Sequence, residues 1–116
     1  SRLTDVRKER FRLQRIRNEN EQQRLSLYKE IDDACLSLRA AAEEHRQAVE
    51  QLRTSTVTLK ESEEKWEEGM ISVFELMEKR NLYILAKAEL SRTCLQYELK
   101  SRTVDFYRTG SFLGTE

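Results

Sequence analysis

The sequence has no proline, and its only glycine before Thr109 is Gly69. Proline and glycine are the usual breakers of regular helix, so the chain can run helical for long stretches on either side of one interruption. Cysteine is scarce as well. Cys35 and Cys94 are too few for a disulfide framework or a cysteine metal site. The longest uncharged apolar run lies around Leu82 to Ala86, far short of the ~20 residues a membrane-crossing helix needs. There is no excess of one charge sign, with 21 basic against 21 acidic residues, so net charge argues neither for nor against nucleic acid. A glycine-rich phosphate loop and a nucleophile motif are also missing, and no pair of carboxylates stands out from the others, which points away from an enzyme. The chain opens on Ser1 without a secretory signal and reads as a piece of something longer.

What is present is charge and helical period. Hydrophobic residues make up 38% and charged residues 36%, too polar for a thick globular core and suited to long helices packed along seams. The charge is segregated. Arg2, Arg7, Lys8, Arg10, Arg12, Arg15, Arg17 and Arg24 make the start basic, whereas Glu61, Glu63, Glu64, Glu67, Glu68, Glu75 and Glu78 make the centre acidic.

Leu27, Ile31, Ala34, Leu38, Ala41, His45, Ala48, Leu52, Ser55, Leu59, Ser62 and Trp66 alternate spacings of four and three without a slip. That is a heptad seam. Many of its members are small, which predicts close approach of helix axes. A second stripe, Tyr28, Cys35, Ala42, Val49 and Thr56, lies beside the first and predicts neighbours on two sides. Before Leu27, Leu3, Val6 and Leu13 keep the register, but Arg10, Arg17, Asn20 and Arg24 fall on it too.

Ser72 and Glu75 are spaced as a capping box ahead of an apolar run, and Gly69 sits where a left-handed residue closes a helix. The expected organisation is all-α: a first helix over 1–68, a turn over 69–72, a second helix over 73–109 and a tail over 110–116 containing Gly110 and Gly114. The second helix has Leu76, Tyr83, Leu90, Tyr97 and Val104 on one seam, flanked by Met77, Ile84, Ala88, Leu95 and Leu99. The two helices should fold into a long antiparallel, coiled-coil-like hairpin whose paired residue numbers add to roughly 140 by equal rise on both arms. The second arm then runs out opposite about Asp32, and the basic segment before it has no partner within the chain. Cys94 falls opposite about Arg46, roughly 15 Å along the axis from Cys35, so no intrachain disulfide is expected.

His45 reads as a seam residue and not a metal ligand, because Glu43 and Glu44 do not share its face. The arginines of the basic arm are interleaved with Glu9, Glu19 and Glu21 and point all round the helix, a solvated face more than a phosphate-binding one. Trp66, Met70, Ile71 and Phe74 cluster at the turn. By pattern they are either a local plug between helix ends or a docking surface.

The stretch from Trp66 to Asn81, W-E-E-G-M-I-S-V-F-E-L-M-E-K-R-N, then A-K-A-E-L and Y-E-L-K-S-R-T-V-D-F-Y-R-T-G, resembles the second internal repeat of the outer-membrane efflux proteins, the TolC-like family. The likeness is specific from about Ser62 to Gly110 and looser from Leu25 to Glu61. The D-F-Y-x-x-G ending is similar to Bacteroidetes-type members. The resemblance implies one helical hairpin of a periplasmic α-barrel in a homotrimeric export duct of the outer membrane. From the residues themselves, no cofactor, no metal and no nucleic acid are expected. Gly69, Met70, Ile71 and Ser72 match the tip that meets a periplasmic adaptor, itself coupled to an inner-membrane pump. Glu75 and Glu78 match acidic entrance positions, and Trp66 an aromatic gate position. Ile71 departs from the pattern, standing where the type member has a gate arginine, so an apolar constriction would replace a polar latch. The competing expectation is a structural antiparallel coiled-coil scaffold, which two cysteines suit slightly better than a periplasmic location.

Overall fold

The computed structural model describes residues 1–110; the rest of the expected tail, with Gly114, lies outside the described residues. Two helices account for the fold: α1, Arg2–Glu67, and α2, Val73–Thr109. They pack antiparallel into a rod of 100 × 30 × 14 Å, and no strand occurs among the described residues.

Local chemistry explains why α1 runs unbroken. Ser1 caps its start by accepting from the Thr4 amide at 3.3 Å. No breaker follows for 66 residues. Surface pairs one turn apart support both helices: Glu43 with Arg46, Glu50 with Arg53, Glu89 with Arg92, Glu98 with Arg102 and Asp105 with Arg108. The Arg46 hydrogen bond holds the Glu43 carboxyl below its ordinary value, and Arg92 does the same for Glu89. Exposed pairs of this kind are screened by solvent and contribute little. The hairpin must therefore be held mainly by its seam.

That seam is thin and made of small side chains. Ala41, Ala48, Ser55 and Ser62 of α1 are buried against Leu76, Ala86 and Thr93 of α2. Alternating with them, Ile31, Leu38, His45, Leu52 and Leu59 are half-buried. The buried hydroxyls are satisfied within their own helices. Thr93 donates to the carbonyls of Glu89 and Leu90, each at 3.0 Å, and Ser62 donates to the Thr58 carbonyl at 2.8 Å. Such internal partners remove most of the cost of burying a hydroxyl.

Three contacts between the arms give the register. Arg92 meets Glu44 at 3.4 Å, the His45 and Tyr97 rings stack with centroids 6.2 Å apart, and the Tyr107 hydroxyl donates to Glu30 at 3.4 Å. These pairs follow the folded-back numbering expected from the turn, and α2 runs out opposite Glu30. Every residue from Ser1 to Glu30 is exposed.

The structure corrects the flanking stripes. Met77, Ile84, Leu95 and Leu99 are 48–58% exposed and point away from α1, as does exposed Ala88. The seam position between Tyr83 and Leu90 belongs to Ala86, and the one after Leu90 to Thr93. A flank of large apolar residues would force the axes apart, whereas Ala41, Ala48 and Ser55 require small partners. On α1 the second stripe is only partly sheltered: Cys35 and Val49 are half-buried, while Tyr28, Ala42 and Thr56 are exposed. Leu27 and Trp66, the ends of the first seam, are exposed at 47% and 46%. Both cysteines are free, Cys35 half-buried and Cys94 exposed.

Candidate functional site

The turn is built by the last residues of α1. Glu68 is the C-cap with right-handed φ −81°, and Gly69 follows at φ 74°. The Gly69 amide donates to the Trp66 carbonyl at 3.0 Å, and the Met70 amide donates to the Lys65 carbonyl at 2.8 Å. These are the two bonds of a Schellman closure, and the left-handed residue it needs is the glycine. The chain then extends through Ser72, whose hydroxyl accepts from the Glu75 amide at 3.1 Å and starts α2.

Only half of the expected capping box forms. The Glu75 carboxylate makes no return bond to Ser72 and stands exposed. It still sits in the first turn of α2, where the free amides favour a negative charge. Its carboxylate is therefore available to whatever approaches the tip.

The four aromatic and aliphatic residues at the turn do not behave as a plug. Phe74 is 83% exposed and Met70 67%. Val73 and Trp66 are about half exposed, and Ile71 alone of the turn is half-buried. Leu76, at 6% exposure, is what closes the end of the seam. Thus Gly69, Met70, Ile71 and Ser72 come together as one turn. Trp66, Glu75 and Glu78 lie on the helix ends beside it. Phe74 and Val73 extend the apolar surface, and the signal for both is their place in the first turn of α2, before the seam begins at Leu76.

Charge surrounds this knob. Between Glu61 and Glu78 seven carboxylates face a single lysine, Lys65. None of the seven is in an ion pair among the described residues. The tip is an apolar projection in a strongly negative field.

Elsewhere the side chains serve packing. His45 stacks on Tyr97, and Lys87 lies over the Tyr83 ring at 5.5 Å. Among the described residues there is no group of three potential metal ligands, and no helix long and apolar enough to cross a membrane. No protein-family model, curated protein or solved structure matches the chain.

Proposed function

We propose that this hairpin is a periplasmic arm of a trimeric outer-membrane efflux duct, a passive conduit whose tip docks a periplasmic adaptor coupled to an inner-membrane pump. The observation that carries the reading is the exposed tip. Met70, Val73 and Phe74 project from a turn fixed by Gly69 and Ser72, where a structural plug would turn them inward. Apolar side chains held outward on a rigid turn are suited to contact with another protein.

A second feature agrees with this. On the back of α2, Met77, Ile84, Ala88 and Leu95 repeat at helical spacing and are exposed. A helix with an apolar stripe on each side suits the wall of a ring, where each helix has two neighbours. In that arrangement Glu75 and Glu78 line the periplasmic entrance, with Trp66 and Ile71 as an apolar constriction. The parent protein would sit in the outer membrane, with this segment on its periplasmic side.

The test is export by the full-length parent carrying Met70→Glu. Export should fall severely while the trimer still assembles and the isolated hairpin keeps its stability. Normal export would remove the docking role of the tip. The alternative, a structural coiled-coil scaffold, is favoured by one specific observation, the bare heptad seam of α1 before Glu30.

A further inference from the structure

The overhang of α1 has a seam but no partner among the described residues. Leu3, Val6, Arg10, Leu13, Arg17, Asn20, Arg24 and Leu27 continue the three-and-four spacing into Ile31 without a break. Leu3, Val6, Leu13 and Leu27 are 47–69% exposed, and Ile16, beside the seam, is 43% exposed. We propose that this strip is a self-association surface, which two copies of the chain cover by pairing their overhangs antiparallel about a twofold axis near residue 15.

The orientation follows from the arginines. In a parallel pair each seam residue meets its own copy. Arg10, Arg17 and Arg24 would then stack on themselves in successive layers, and Arg2 would face Arg7. Antiparallel pairing removes all of these clashes. When paired numbers add to 30, every seam arginine meets an uncharged residue of the second copy: Arg10 meets Asn20, Arg17 meets Leu13, and Arg24 meets Val6. Leu3 packs on Leu27.

The flanks agree with the same register. On one side of the seam Arg7 lies beside Glu21 of the second copy. On the other side Arg2 lies beside Glu30 of the second copy, whose carboxylate also accepts from its own Tyr107 hydroxyl, and Ile16 meets Ile16 across the axis. Each charge pair occurs twice by symmetry. Sliding by one heptad in one direction sets Gln14 against Arg7 and Gln23 against Arg2, and in the other sets Tyr28 against Arg7 and Ser37 against Arg2, so charge matching selects one register.

The fold leaves room for this arrangement because α2 ends opposite Glu30. The second copy's α1 would follow on from α2 along the same line and cover the remaining seam. The arrangement does not rest on the duct reading and concerns the 116-residue chain itself.

Two measurements test it. At ~100 μM the chain should sediment as a dimer, and small-angle scattering should give a maximum dimension of roughly 160 Å, from 1.5 Å per residue out to both tips. A monomer, a trimer or a dimer only about 100 Å long would overturn the proposal. Arg7→Glu should weaken the dimer by roughly tenfold, since two flanking pairs turn repulsive. Adding Glu21→Arg in the same chain should restore it. Failure of the double variant to recover, with helicity intact by circular dichroism, would overturn the register.

Discussion

Replacing Gly69 separates the geometry of the tip from its surface chemistry. Gly69 holds φ 74°, and a Cβ built there meets nothing within 4 Å. The cost of Gly69→Ala is thus purely conformational. A left-handed backbone costs an ordinary L-residue about 1–2 kcal/mol. The smaller entropy of the unfolded alanine chain returns part of this, roughly 0.4–1 kcal/mol. A net loss of about 1 kcal/mol is expected, or roughly 0.5 M in the urea midpoint at a slope of ~2 kcal/mol/M. Gly69→Asn should lose less, because asparagine tolerates this region better. Gly69→Pro should lose more than alanine, since it cannot adopt φ 74° and removes the amide that donates to Trp66. The assay is urea unfolding followed by circular dichroism at 222 nm. An alanine variant more stable than the parent chain would refute the left-handed closure. A loss beyond about 4 kcal/mol would refute the open space around the turn, because only a clash reaches that size.

Further tests address the seam, the charges and the thiols. Ala48→Leu places a large side chain where exposure is 4%, and should cost ~1–3 kcal/mol in the same unfolding assay. Met70→Glu, at an exposed position, should change stability by less than about 0.5 kcal/mol, so any loss of export in the parent would not reflect unfolding. Tyr107 has its pKa raised above 10.0, by desolvation first and then by the Glu30 charge and hydrogen bond. Its folded pKa exceeds its unfolded one, so its stabilising contribution is complete below pH 10 and is lost as pH rises through the folded value. The difference in absorbance titration at 295 nm between the parent chain and Tyr107→Phe should show this tyrosine ionising late. Glu43 and Glu89 are shifted the other way by their arginines, so their small contribution is present at neutral pH and fades as pH falls below about 4.5. A thiol-reactive dye should label exposed Cys94 faster than half-buried Cys35, with no intrachain disulfide after mild oxidation.

Much of the hairpin was legible because its signals are local. One glycine, one serine cap and an unbroken three-and-four spacing place both helices and the turn, and folding back about that turn brings Arg92 near Glu44 and Tyr107 near Glu30. The partner face of α2 was harder. That helix carries two apolar stripes, and periodicity alone does not say which one meets α1. The sevenfold spacing of Leu76, Tyr83, Leu90 and Val104 marks the sheltered side, but it passes over the small residues Ala86 and Thr93 that complete the seam. Size matching was the better guide, since a seam of Ala41, Ala48 and Ser55 calls for Ala86 and Thr93 opposite. At the tip, the sequence left plug and docking surface equal. The exposure of Phe74 and Met70 speaks against the plug, and it depends on where the chain leaves the turn after Gly69. The half-formed capping box was not legible either. A serine followed by a glutamate at the right spacing permits the return bond, but the side chain of Glu75 points to solvent instead.

The most direct test of the duct reading is to sequence the coding region on both sides of this segment. The reading predicts a secretory signal, an upstream second copy of the hairpin and ~10-residue alternating strands between the copies, as a membrane-inserted barrel requires. A coding region with no second hairpin and no such strands would contradict it, and would leave the molecule as a coiled-coil scaffold.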